Sequence, residues 1–180
     1  ADSFADLTKI VENNQVAFGD QYTWSSYNPT TRKVIYTQKA GKLTIMDGSS
    51  QIIFTVNAND QVVSYEQIYA GTVQVLGKER ELITAQKAVE ILYLAGRISS
   101  KATVQSVKLS YYQSLVLKDF SIYSPAWYIE IRQADGQLIA RRVDAIHGTV
   151  LANETLETTN TQTQRTTTNN TTTTQSVQQQ

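Results

Sequence analysis

Residues 124–148 read as a β-hairpin, and this segment constrains the fold more than any other. Before the Asp135-Gly136 step lies Ser124-Pro125-Ala126-Trp127-Tyr128-Ile129-Glu130-Ile131, and after it Arg142-Val143-Asp144-Ala145-Ile146-His147-Gly148. Side chains alternate across a strand, so Trp127, Ile129 and Ile131 share one face. A two-residue Asp135-Gly136 loop would set Ile129 against Arg142 and Trp127 against Asp144, placing charges on the apolar face. A three-residue loop with Gly in the left-handed region shifts the pairing by one. Val143 then opposes Ile129, Ala145 opposes Trp127, and Glu130 meets Arg142 on the other face. Burial favours this second register, with Arg141 opposite Ile131 as its cost. Neither segment holds an obvious catalytic group. The best-organised part of the chain is built to pack and to bind.

Strand signals dominate the first half. Residues 21–27, 33–38 and 42–46 are rich in β-branched and aromatic side chains, punctuated by Asn28-Pro29, Gly41 and Asp47-Gly48. Ile52, Phe54 and Val56 alternate in 51–57, and Val63, Tyr65, Gln67 and Tyr69 in 61–70. Gly71 is expected to bend this last strand before Val73 and Val75 continue it. A short leading helix is expected over 3–13, with Phe4, Leu7, Ile10 and Val11 on one face. A second helix is clearer. Thr84 is a good N-cap, Ala88, Ile91, Leu92 and Ala95 form an apolar stripe, and Gly96 stands where a left-handed cap belongs. Val107, Leu109 and Tyr111 then alternate with polar neighbours, and 115–123 reads as a further strand.

These elements predict an α+β protein of two small lobes, mainly antiparallel sheet with few helices. Residues 1–78 form a β-rich lobe with the leading helix, and 79–152 a lobe of helix plus antiparallel sheet. Residues 153–180 contain twelve Thr, six Gln and four Asn. Such a segment cannot bury enough surface to offset its ordering entropy and reads as a disordered tail.

Lys and Arg balance Asp and Glu at 16 each, with no basic tract, which argues against nucleic acid as a partner. The absence of cysteine excludes disulfides, thiol catalysis and zinc–cysteine sites. No apolar run approaches the roughly 18 residues of a membrane span, and no signal peptide is read. The chain starts at Ala1, so a membrane anchor could precede it unseen.

Chemistry has little to stand on. The single His147 lies in a turn beside Gly148, where a surface or partly packed role is the simpler reading. A hydrolase triad would need it with Ser124 or Ser121 and Asp144, yet nothing resembles a nucleophile elbow. Glu79 and Glu81 read as a solvated approach to the second helix, and Glu130 as a cross-strand partner for Arg142. No phosphate-binding loop or dinucleotide fingerprint occurs, and neither cofactor nor metal is expected. Tyr128, Glu130 and Arg142, on the outer face of the hairpin, are the candidate protein contacts.

Five motifs in order carry a resemblance. They are Val63-Ser64-Tyr65-Glu66-Gln67-Ile68-Tyr69; the helix with Ala85, Ala88, Leu92 and Tyr93; Leu109-Ser110-Tyr111-Tyr112; Ser124-Pro125-Ala126-Trp127; and Val143-Asp144-Ala145-Ile146-His147-Gly148. Over about residues 30–151 the chain resembles the YycI regulatory proteins of Gram-positive bacteria, and more distantly the YycH proteins. Ser110 stands for the family's usual Gly, Asp144 for Asn and Tyr128 for Arg. The resemblance implies a non-enzymatic protein held outside the membrane by one N-terminal helix. It implies association with a YycH-like partner and with a sensor histidine kinase, YycG or WalK, that controls cell-wall metabolism. Homo-oligomerisation stays open. The alternative is a secreted or surface binding or inhibitor module of PepSY-like or cystatin-like topology.

Overall fold

A computed structural model describes residues 4–74 and 76–152. The expected tail, 153–180, lies outside the described residues. Helix α1 (Ala5–Glu12) leads into strands β1 (Tyr22–Asn28), β2 (Lys33–Ala40), β3 (Leu43–Thr44), β4 (Gln51–Val56) and β5 (Val62–Ile68). After residues 69–84 come helix α2 (Ala85–Leu94) and strands β6 (Thr103–Val116), β7 (Ser121–Arg132) and β8 (Leu138–Asp144). The first sheet runs β1-β2-β4-β5 with β3 on β2, the second runs β6-β7-β8, and every named strand pairing is antiparallel. Two mainly antiparallel sheets with two helices match the expected α+β class.

Each sheet buries one face under its own helix. Leu7 and Val11 of α1 pack on Tyr22, Val34, Tyr36, Ile52, Phe54 and Val56. Ala88 and Leu92 of α2 pack on Ile129, Ile131 and Val143, with Trp127 partly buried beside them. The predicted stripe and the hairpin's Trp127 face therefore meet. α2 begins as its sequence dictates, with Thr84 Oγ1 accepting from the Lys87 amide at 3.1 Å. It ends with Gly96 at φ +67°, where the Gly96 amide donates to Tyr93 O and the Arg97 amide to Leu92 O. Those bonds satisfy carbonyls that a helix end otherwise leaves open.

The hairpin register differs from the expected one. Trp127 pairs with Val143, Tyr128 with Arg142, Ile129 with Arg141, Glu130 with Ala140 and Ile131 with Ile139. The loop has the expected three-residue form but consists of 134–136, so that Gln133 pairs with Gln137 through a 2.8 Å bond. Gly136, at φ +85°, must be the last loop residue, because that position takes the left-handed conformation. Burial fixed which face each residue occupies, and the glycine fixed the register.

Three strand boundaries also move. Only Leu43–Thr44 of 42–46 is strand. The expected strand over 115–123 is broken by a turn: β6 ends at Val116, the Leu117 amide donates to Phe120 O, and β7 begins at Ser121. β5 stops at Ile68 instead of continuing past Gly71. Buried Gln38 and Ser50 take over the backbone there, Gln38 Nε2 donating to Gly71 O at 2.9 Å and Oε1 accepting from the Ala70 amide at 3.1 Å.

Candidate functional site

The polar groups worth weighing as a site gather where the two sheets meet. Ile45 forms a parallel bridge with Tyr111, and the Met46 amide donates to Tyr111 O at 3.0 Å. Arg142 Nε donates to Met46 O at 3.0 Å, and the Gln113 amide to Asp47 Oδ2 at 2.5 Å. Tyr128 and Glu130 share a small cleft with Ile35, Thr37 and Gln51 of the first sheet.

This placement changes the meaning of the candidate contact residues. Tyr128 and Arg142 are 6 % and 5 % exposed, so they face the first lobe and not an open outer surface. Glu130 is half-buried, opposite Ala140 and not Arg142; it accepts from Ser106 and lies 3.9 Å from Lys108 Nζ. Burial, together with the charge of Glu130, pushes the Tyr128 hydroxyl up to about 12, so it is neutral at physiological pH.

Beside this seam, Asp144 is the hub of the turn that closes β8. It is 4 % exposed. Its Oδ1 accepts from the amides of Ile146 (2.8 Å) and His147 (2.6 Å), and its Oδ2 from Tyr112 OH (2.7 Å). Burial pushes the Asp144 carboxyl up, but the His147 amide, the Tyr112 hydroxyl and the Ile146 amide together hold it below the usual range. Burial, and then the same hydrogen bond, raise Tyr112 to about 12.

A Tyr–Asp–His arrangement could orient a general base, but neither weighed serine is hydrogen-bonded to its imidazole. His147 is 71 % exposed at its side chain, and Nδ1 sits 3.2 Å from Asp144 Oδ1. Ser124 Oγ donates to Ser114 and Ser121 Oγ accepts from Gln113, both on β6. The hydrogen bonds thus tie the weighed serines to a strand and His147 to its own turn. Glu79 and Glu81 are exposed on the segment before α2. Among the described residues no group of three or more His, Asp or Glu side chains is placed to hold a metal ion.

Two apolar surfaces stay open. Edge strand β5 presents Val62, Val63, Tyr65 and Ile68, and the β6–β7 turn presents Leu115, Val116, Leu117 and Phe120. Sequence reasoning read both as ordinary strand. The missing signal for the second was a turn lacking Gly or Pro.

The family model described as YycI protein matches residues 2–146. The chain belongs to the YycI family. A search of curated proteins found no match. Membership makes the chain a regulator of the YycFG two-component system in general, within a regulatory, non-catalytic family. The family is one of membrane-associated extracellular regulators; no helix among the described residues is long and apolar enough to cross a membrane. The YycI-like motifs fall on structurally decisive places. Tyr65-Glu66-Gln67 lies on β5, and Ala88 and Leu92 lie in the second core. Tyr111 bridges the lobes, and Asp144 ties the closing turn to Tyr112.

Proposed function

We propose that this chain is the extracytoplasmic part of a non-enzymatic regulatory subunit. It associates with a YycH-like protein and a YycG/WalK-type sensor histidine kinase, and so modulates signalling that controls cell-wall metabolism. The family match over residues 2–146 carries this reading. The way polar groups are used supports it: Asp144, Arg142 and Tyr128 are engaged in holding the chain's own lobes and turns together. In this reading the lobes divide near residue 78, within the exposed segment 69–84. A single upstream helix holds the protein at the outer face of the cell membrane. Of the three expected contact residues, Glu130 keeps a share of surface, and a partner reaching it meets Lys108 as well. Contact through the open apolar side chains of β5 and of the β6–β7 turn is the larger contribution, since aromatic and aliphatic anchors dominate interfaces.

Co-purification of the full-length protein from membranes tests this. Recovery of the YycH-like partner and the kinase together is the expected result. Failure to recover either, with the protein folded and at the membrane, overturns it.

A further inference from the structure

Met46 carries the only sulfur in the chain, which contains one methionine and no cysteine. Its place is the seam between the two sheets. Both of its backbone groups are engaged there: the amide donates to Tyr111 O at 3.0 Å, and the carbonyl accepts from Arg142 Nε at 3.0 Å. Its neighbours are anchored across the same seam. Ile45 is fully buried and bridges to Tyr111, and Asp47 Oδ2 accepts from the Gln113 amide at 2.5 Å. Met46 itself is partly exposed, and it lines the cleft where Tyr128 and Glu130 face Ile35 and Thr37. That cleft has a volume of about 20 Å³, room for about one water molecule.

Methionine suits such a junction, because its flexible apolar side chain adapts to irregular space. The same thioether, when solvent reaches it, is open to oxidation by peroxides. The sulfur gives an electron pair to one peroxide oxygen. The S–O bond forms as the O–O bond breaks, and the second oxygen leaves as water. Sulfur is oxidised, the peroxide is reduced, and no other group is consumed. The product is a polar, chiral sulfoxide that disrupts apolar packing. Its oxygen accepts hydrogen bonds, but the Ile35 side chain donates none, and Glu130 already acts as an acceptor toward Ser106. A cleft the size of one water leaves the added oxygen little space to turn away. The strain falls on residues 45–47, whose bonds to Tyr111, Gln113 and Arg142 join the sheets, while the two cores lie elsewhere. We propose that Met46 is a redox-sensitive modification site, at which oxidation to the sulfoxide by a peroxide loosens the seam without unfolding either core. The site stands independently of the regulatory reading above, since it requires only the chain and the oxidant.

The test treats the folded full chain with dilute hydrogen peroxide, in the presence of free methionine as an internal standard. Peptide mass spectrometry and amide hydrogen exchange follow the result. Added oxygen confined to the Met46 peptide is expected. Exchange at the Met46 and Gln113 amides should then accelerate several-fold, while exchange at Tyr36 and Ile129 holds. Methionine sulfoxide reductases acting on both epimers should restore the original mass and the original exchange rates. Met46→Leu conserves volume and should respond to peroxide in neither measurement. Reversal by the reductases needs no variant, so the proposal stays testable even if Met46→Leu does not fold. A Met46 sulfur that stays unoxidised while the free methionine is consumed overturns the site. So does a sulfoxide that leaves exchange at Met46 and Gln113 unchanged. Acceleration at Tyr36 and Ile129 as well overturns the local effect, because the cores then unfold. A peroxide response that persists in folded Met46→Leu places the chemistry on another side chain and overturns it too.

Discussion

Tyr112 and Asp144 lie 32 positions apart in the chain, and their side chains meet in a 2.7 Å hydrogen bond. The bond joins β6 to the turn that ends β8, crossing over β7, the strand between them. Asp144 is acceptor to three donors at once, from Tyr112, Ile146 and His147. Replacing Tyr112 by Phe leaves a buried carboxylate one partner short. A loss of about 1–3 kcal/mol is expected, measurable as a lower urea midpoint with an unchanged slope.

Asp144 also gives stability an acid dependence. Its folded pKa lies below the unfolded value of about 3.9, so its contribution is present above that pH and is lost as pH falls through the lower folded value. Asp144→Asn should be less stable at pH 7 and should narrow its gap to the parent below pH 4. A gap that stays constant down to pH 2 would contradict this.

At the other end of the scale, Tyr112 and Tyr128 are both raised from 10.0 to about 12. Below pH 10 both states hold these protons. Between 10 and 12 the unfolded chain releases them first, so stability falls as pH rises through that window. Burial raises Tyr36 as well, so tyrosinate absorbance followed along an alkaline titration should show three late hydroxyls that titrate normally in urea.

Gly19 has no room for a side chain. A Cβ placed there would lie 2.0 Å from the Val11 carbonyl oxygen, a backbone atom in the last turn of α1. Gly19→Ala must push α1 off the first core and should cost more than about 2 kcal/mol. A melting temperature within a degree or two of the parent would refute the contact.

Arg142→Leu should loosen the seam selectively. It removes the bond to Met46 O and leaves both cores in place. Amide exchange at Met46 should accelerate several-fold, while exchange at Tyr36 and Ile129 holds. Acceleration of all three together would mean that the lobes unfold as one.

His147→Ala should change stability by less than about 0.5 kcal/mol. The exposed ring is lost, but the His147 amide still donates to Asp144. Partner recovery from membranes should be unaffected. A loss of function with an intact fold would revive a chemical role for the imidazole.

What the sequence reveals depends on how local the cause is. Helix α2 was legible throughout, because Thr84, the apolar stripe and Gly96 act within a few residues of one another. The hairpin's faces were legible because burial dictates parity; its register was not, because it turns on which loop position Gly136 occupies. The turn at Leu117–Phe120 hid because its apolar ends mimic strand alternation. The end of β5 was invisible for a different reason, since distant Gln38 and Ser50 decide it. For the site, sequence identified the hairpin and its polar residues but placed Tyr128 and Arg142 on an open face. Only the meeting of the sheets, through Met46 and Tyr111, shows that face to be covered.

The described residues between Ile68 and Ala85 run without regular structure, mostly exposed, from the first sheet to α2. Its ends are fixed, at Ala70 and Gly71 by Gln38 and at Ile83 by Ala145 and Trp127, and the exposed stretch between them keeps the two sheets at a local concentration in roughly the millimolar range. Orientation then belongs to the few bonds around Ile45, Met46 and Asp47, which need only the strength of a weak bimolecular complex to stay closed. On either side of that seam each sheet keeps its own helix and core.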